Sequence, residues 1–299
     1  MIPEQARPLV EELLDRTTLP PAGSRLHCAV SGGPDSTALL VLATEAGCSV
    51  TAHHVDHGLR PGSADEADVV AGLADRFGAS FHSHRVVVEP GPNLEARARK
   101  ARYAVLPRDV VTGHTLDDRA ETVLINLLRG AGRRGLSPHT DRTRHPLIDL
   151  RRRETVELCA RIGLVTVTDP SNDDRRHLRN RVRAELLPLL QDVSNRDLAP
   201  VLARQADLLG EEDMLLDELA AGIDPTDARQ LAAAPAPLAR RAIRRWIIEA
   251  GSQDHPPAGG SVERVLEVAR GSAVSTQIEG GQTVHRSAQR LRLEPPSVR

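Results

Sequence analysis

Aromatic residues are nearly absent from this chain of 299 residues: two Phe, one Tyr and one Trp, 1% of the sequence. Stacking of a nucleic-acid base on an aromatic ring is therefore barely available, and arginine planes would have to substitute. Lysine is missing too, except for Lys100, so the common P-loop ending in Gly-Lys-Ser/Thr is excluded. The three cysteines, Cys28, Cys48 and Cys159, show no C-x-x-C spacing. They fit neither a disulfide framework nor a zinc site and suit a reducing compartment. No apolar run is long enough to span a bilayer, and Met1-Ile2-Pro3-Glu4-Gln5 lacks the charge and apolar core of a signal peptide. A cytoplasmic location without a membrane partner is expected.

What is present is aliphatic and arginine-rich. Hydrophobic residues make up 40% of the chain, enough for a sizeable core of mostly Leu, Val, Ala and Ile. The length fits one large or two ordinary domains. The net charge of −2 is unevenly spread. Residues 1–128 carry 12 basic and 17 acidic side chains and residues 184–299 carry 13 and 17, whereas residues 129–183 carry 14 and 7. A basic segment between acidic flanks is the footprint of a polyanionic partner, or else a solvated surface reflecting a general use of Arg for Lys.

Residues 26–36, Leu-His-Cys-Ala-Val-Ser-Gly-Gly-Pro-Asp-Ser, organise the rest. A short apolar strand ends in Ser31-Gly32-Gly33-Pro34-Asp35-Ser36, and a helix pattern follows. This order aims backbone N–H groups and a helix N-terminus at one spot, a ready anion site. Gly32 and Gly33 let the backbone curl and approach a ligand, and Ser31 and Ser36 add hydroxyls. Asp35 would repel a phosphate unless a cation lay between them, which marks it as a Mg²⁺ ligand, direct or through water. A serine-capped turn with no ligand is the plainer alternative. The stretch resembles the SGGxDS loop of the N-type ATP pyrophosphatases, which cleave ATP to AMP and pyrophosphate by adenylating a substrate oxygen.

Strands are expected at 26–30, 49–54, 79–88 and 109–112. Helices are expected at 5–16, after the glycine turn, from a Ser63/Glu66 capping box, at 93–106 and at 116–128. This alternation argues for an α/β fold with a doubly wound parallel sheet, whose ligands bind at the strands' carboxyl ends. A helix at 155–162, a strand at 164–168 and a helix at 175–190 follow. The expected organisation is a catalytic domain at 1–192, a helical linker at 193–223 and a small α+β domain at 224–299, with helices at 238–250 and 262–269 and three short strands.

Several motifs follow predicted strands. His53-His54-Val55-Asp56-His57-Gly58-Leu59-Arg60 suggests a metal site or a paired histidine cluster, and its backbone lies where an adenine could be held. On the helix at 93–106, Glu95 and Arg99 are spaced i,i+4, and Arg99 and Arg102 i,i+3. That is a salt-bridged face or one that neutralises phosphate. His114-Thr115-Leu116-Asp117-Asp118-Arg119-Ala120-Glu121 places three carboxylates at a helix start, suited to Mg²⁺ or a cationic substrate group. Arg151, Arg152, Arg153, Arg175, Arg176, Arg179, Arg181 and Arg183 supply the basic surface. Arg240, Arg241, Arg244 and Arg245 form either a solvated face or a second RNA contact.

Together these motifs, with Pro146-Leu147 and Asp169-Pro170-Ser171-Asn172 ahead of Arg179-Asn180-Arg181-Val182-Arg183, resemble the bacterial tRNA(Ile)-lysidine synthetase family over about two-thirds of the chain. Thr115 departs from the pattern, since many members have a second His there. The resemblance implies a PP-loop ATPase fold of the adenine nucleotide alpha hydrolase type and a small tRNA-contacting domain. It implies an enzyme that joins free L-lysine to C2 of the cytidine at the first anticodon position of CAU-anticodon isoleucine tRNA, with ATP and Mg²⁺, and it leaves a homodimer open. The turn Ser31, Gly32, Gly33, Pro34, Asp35 and Ser36, with His54, Asp56, Arg102 and Arg183, would bind ATP. Asp35 would hold the metal, and Asp118 and Glu121 the lysine. His114 and Arg181 or Arg183 would act on the phosphates or the adenylate. The alternatives are another adenylating tRNA-modifying enzyme, such as a thiolase, and a non-catalytic tRNA-binding protein.

Overall fold

The computed structural model describes residues 2–56, 58, 63–87, 91, 94–138, 141–167, 174–250 and 257–295, with residues 63–65 and 94–96 described by their backbone only. The chain divides into two compact units at Leu208/Leu209, a point inside one long helix.

In the first unit four parallel strands, β1 (Arg25–Ala29), β2 (Ser49–Asp56), β3 (Ser80–Arg85) and β4 (Val111–Thr112), form a sheet in the order β3-β2-β1-β4. The chain runs outward from β1 through β2 to β3, then returns to the other side of β1. The order therefore reverses between β1 and β4, and the crevice at their carboxyl ends is where such sheets bind ligands. Helix α1 (Arg7–Leu14) precedes β1, and α2 (Pro34–Glu45), α3 (Ser63–Arg76) and α4 (Leu94–Val105) connect the strands. α5 (Leu116–Leu128) leaves β4, and α6 (Arg152–Ile162) packs on α2. Every residue of α2 from Ser36 to Ala43 is buried, which is why this helix reads as apolar on all sides.

Of the strand expected at 164–168, the described residues 164–167 form none. The Val167 N–H instead donates to the Gly32 carbonyl at 2.8 Å, so the segment braces the glycine turn. The expected helix at 175–190 starts at Leu178 and runs on without a break to Ser194, as α7 (Leu178–Arg181), a π-helical turn over Val182–Leu186 and α8 (Leu187–Ser194). α9 (Leu198–Ala221) follows.

The second unit has its own core, built from Leu231, Ile243, Ile247, Val265, Leu266 and Val284. It contains α10 (Ala228–Ala233), α11 (Ala236–Glu249), α12 (Gly259–Arg270) and an antiparallel sheet of β5 (Ser275–Gln277), β6 (Thr283–Ser287) and β7 (Arg290–Glu294). α10 has no counterpart among the expected elements: six residues are too few to show a period. Asp227 caps it, accepting from the N–H groups of Arg229 and Gln230.

Candidate active site

A cleft of about 290 Å³ opens at the crevice between β1 and β4. Its floor is the turn after β1. The Ser31 N–H and the Gly33 carbonyl are both bonded by the Ser36 hydroxyl group, at 3.1 and 3.0 Å, so the turn is braced from within. Pro34 occupies the first position of α2, where a missing N–H costs nothing. Gly32 has φ +85, and a Cβ there would lie 2.7 Å from Val167 Cγ2. It packs under the turn and does not line the cleft. Gly33 has an ordinary extended backbone, φ −70 and ψ 163, so glycine there is not required by the fold. Gly113, which no sequence motif marks, is the tighter position: a Cβ would stand 2.5 Å from the Asp35 carbonyl oxygen, where β4 leaves the sheet against the first turn of α2.

Three carboxylates and three guanidiniums meet at one wall. Thr115 is fully buried at the start of α5 and gives both its N–H and its hydroxyl to Asp118 Oδ2, each at 2.9 Å. That role explains the Thr: it fixes the carboxylate. Asp118 Oδ1 accepts from Arg152 at 2.7 Å and Arg179 at 2.9 Å. Glu121, one helical turn on and with no exposed surface, accepts from Arg152, Arg179 and Arg183, each at 2.8 Å. Arg152 also reaches Asp35 Oδ2 at 3.2 Å, and Asp35 accepts from the Thr155 hydroxyl. Burial pushes the Asp35 carboxyl up, offset in part by Arg152 and reinforced by Asp118. Asp118 is also buried, but Arg152 and Arg179 outweigh that and hold it well below the usual carboxylate range.

Asp117 points elsewhere. It accepts from the Arg152 N–H at 2.7 Å and from the Arg151 side chain at 2.9 Å, capping α6 and so setting Arg152 at the cleft. Arg16 grips Glu154 on the same helix with both nitrogens, at 2.7 and 3.0 Å. Arg151 and Arg152 are therefore internal, and only Arg153 of that triplet is exposed.

Other candidates sort by backbone geometry. His114 and Arg102 line the cleft. The buried Arg102 Nε has no hydrogen-bond partner among the described residues; burial lowers the guanidinium pKa, Tyr103 counters this and Arg99 adds to it. His54 does not reach the cleft lining. Along β2 the side chains alternate, so His53 and Val55 face the cleft, while the His54 Nδ1–H donates to the Val30 carbonyl at 3.0 Å. Asp56 likewise turns away and accepts from the Gly58 N–H at 2.8 Å. The structure does not bring Arg181 to the cleft. Arg179 and Arg183 are four residues apart on one helical face, whereas Arg181 lies on the opposite face, is half-exposed and pairs with Glu185 at 3.3 Å. Arg152 and Arg179, expected from the sequence only as basic surface, belong to the site. Their signal in the sequence is the pair Asp118 and Glu121, one turn apart on a mostly apolar helix: two carboxylates buried together need counter-charge. His57, Leu59, Arg60, Asn93 and Asp169–Asn172 (169–172) lie outside the described residues, as does the Glu95 side chain.

A family model described as a PP-loop domain matches residues 6–190. A tRNA(Ile)-lysidine synthase of Nocardia farcinica is 43% identical over 251 residues, covering 79% of each chain. One of Mycobacterium tuberculosis is 38% identical over 289 residues, 88% of each. The chain belongs to the tRNA(Ile)-lysidine synthase family. Among solved structures, a tRNA U34 thiolase of Methanococcus maripaludis, determined with its 4Fe–4S cluster, aligns with a TM-score of 0.53 at 20% identity, over 69% of this chain and 79% of that one. That likeness shows the fold alone.

Family membership fits the cleft better than thiol chemistry does. Cys28, Cys48 and Cys159 are all buried, and none lines the cleft. Burial raises the Cys28 thiol and pushes Cys159 up to about 12, the reverse of a reactive thiolate. In the second unit, Arg240 pairs with Glu263, Arg241 with Asp213 and Asp217, and Arg245 with Glu249. Most of that arginine face is thus neutralised internally. No helix among the described residues is long and apolar enough to cross a membrane.

Proposed function

We propose that this chain is the lysidine-forming ligase of CAU-anticodon isoleucine tRNA, joining free L-lysine to C2 of the cytidine at the first anticodon position and so changing its codon reading from AUG to AUA. The observation that carries the reading is the shared cleft: the phosphate-binding turn at the end of β1 and the Asp118 carboxylate at the start of α5 face the same space.

Cytosine O2 is a poor leaving group. Its attack on the α-phosphorus of ATP forms an O–P bond, breaks the bond to the β-phosphate oxygen and releases pyrophosphate. The lysine ε-amine then attacks C2, the C2–O2 bond breaks and AMP leaves with the oxygen. The turn at Ser31–Ser36 (31–36) and the N-terminus of α2 would hold the phosphates, with Arg102 and Arg183 neutralising charge. His114 stands beside them. Asp118, kept ionised by its arginines, suits holding the ammonium better than taking its proton, which must be lost because the amine's ordinary pKa is about 10.4. Mg²⁺ is bound in such sites through one or two carboxylates plus phosphate oxygens and water. Asp35, a hard oxygen donor on the cleft wall beside the helix N-terminus, would hold it, and the ion would neutralise departing pyrophosphate. The tRNA base lies in a single-stranded loop and can be splayed out at little cost. Arg153, Arg175 and Arg176 are exposed and suit the RNA backbone. A cytoplasmic location accords with these substrates.

The test is incorporation of labelled lysine into unmodified isoleucine tRNA with ATP and Mg²⁺, followed by digestion to nucleosides. Label on the anticodon cytidine, with AMP formed in step, is expected. AMP release without label would discard lysine as the nucleophile. Asp35→Ala should abolish pyrophosphate release while leaving tRNA binding largely intact; activity surviving that change would remove Asp35 from the metal site.

A further inference from the structure

Asp118 and Glu121 have no acceptor position to spare for a substrate cation. A carboxylate has about four lone-pair sites, two on each oxygen. On Asp118, Oδ1 takes Arg152 and Arg179, and Oδ2 takes both donors of Thr115. On Glu121, Oε1 takes Arg152 and Arg183, while Oε2 takes Arg179 at 2.8 Å and Arg183 at 3.5 Å. Counting Asp35, three carboxylates face three guanidiniums, and the local charge balances. An entering ammonium must displace a donor, and it leaves one positive charge in excess around two nearly buried carboxylates.

Arg152 is the donor placed to leave. It touches all three carboxylates, whereas neither Arg179 nor Arg183 is bonded to Asp35. It lines the cleft, which Arg179 does not. Its departure would free one site each on Asp118 Oδ1 and Glu121 Oε1, a pair of adjacent acceptors for one ammonium. Arg179 and Arg183 would still orient Glu121. At its other end Arg152 Nε lies on Asp35, in the first turn of α2 and beside the phosphate-binding turn.

We propose that in the nucleotide-free enzyme Arg152 occupies the position of the substrate's ε-ammonium, and that it moves to the nucleotide phosphates when they arrive, opening the amino-acid site. The inference rests on the reading of Asp118 and Glu121 as the lysine carboxylates. The phosphates supply the negative charge that the incoming ammonium would otherwise lack, so nucleotide and lysine bind with positive coupling. By linkage, lysine must tighten nucleotide binding by the same factor.

The experiment is direct titration of L-lysine into the full chain by calorimetry, without tRNA, in the absence and presence of saturating α,β-methylene-ATP. Wild-type protein is expected to bind lysine at least tenfold more tightly with the analogue. Arg152→Met is expected to bind lysine more tightly than wild type when no nucleotide is present, and to lose most of the difference between the two conditions. A merely structural or phosphate-binding role predicts no such gain, so weaker lysine binding by Arg152→Met in the nucleotide-free state overturns the proposal. Equal lysine affinity in the two wild-type conditions also overturns it, and leaves the lysine reading of the cleft standing. Absence of lysine binding in both conditions overturns the two together. The wild-type comparison does not depend on any variant folding.

Discussion

Asp118 owes its charge to a few named contacts, and they differ in what their loss should do. Thr115 provides two donors to one oxygen from a fully buried position. Thr115→Ala keeps the N–H but removes the hydroxyl. An N-cap loss of this type costs about 1 kcal/mol. The thermal midpoint should fall by ~2–4 °C, a shift readable by circular dichroism, and lysine KM should rise because the carboxylate is less firmly aimed. Asp118→Asn acts differently: it removes the charge that the lysine reading assigns to the ammonium. Lysine-dependent turnover should drop by about 100-fold or more, since an ionised partner of a buried cation is worth several kcal/mol. ATP binding, measured separately, should change far less. A parallel loss of ATP affinity would move Asp118 into the nucleotide site.

At the level of turns and helices, two glycines make the contrast between space and ligand testable. Gly113→Ala would push a Cβ against the Asp35 carbonyl, forcing β4 and α2 apart. Overpacking of this kind costs ~1–3 kcal/mol, so both the melting temperature and ATP affinity should fall. Gly33→Ala meets nothing nearer than Ser31 Oγ at 3.7 Å and keeps an ordinary backbone. Stability should hold, and any loss of ATP affinity then reports a phosphate approaching where the methyl group stands. Only one of these positions could be read from the chain. The Gly32-Gly33 pair announces itself by sequence, whereas Gly113 is demanded by a contact between residues far apart. The same distinction separates α5, whose expected limits of 116–128 match the observed helix, from the segment at 164–167, whose apolar run serves to brace Gly32. Local periodicity shows in sequence, and tertiary bracing does not. His53 versus His54 and Arg179 versus Arg181 are finer cases: the motif was visible, but which alternate residue turns inward depends on strand and helix phase, which a short motif leaves undetermined.

Across the whole molecule, acid sensitivity should concentrate in the first unit, because a histidine ladder crosses its sheet there. His27 Nδ1 and His53 Nε2 lie 2.9 Å apart, as do His53 Nδ1 and His84 Nε2, and His82 stacks on His53 with centroids 5.6 Å apart. Adjacent imidazoles in such a chain share protons only while mostly neutral. Burial, followed by the neighbouring His27, His84 and His82, lowers the His53 pKa from 6.5 to about 4, and burial also lowers that of His84. In the unfolded chain both would take up protons near their ordinary value. Between pH 6.5 and about 4 the unfolded state therefore binds more protons, so stability present above pH 6.5 is lost as the pH falls. For His53 this amounts to ~1–3 kcal/mol at full effect, after allowance for partial solvent screening. Differential scanning calorimetry of the full chain from pH 7 to 5, above the ordinary carboxylate range, should show a falling midpoint. His53→Gln should flatten that dependence. It should also lower the midpoint at neutral pH, because Gln keeps one hydrogen bond of the ladder and loses the ring stack. A pH dependence unchanged by His53→Gln would place the acid sensitivity elsewhere, and the ladder would then be a packing feature of β1, β2 and β3 alone.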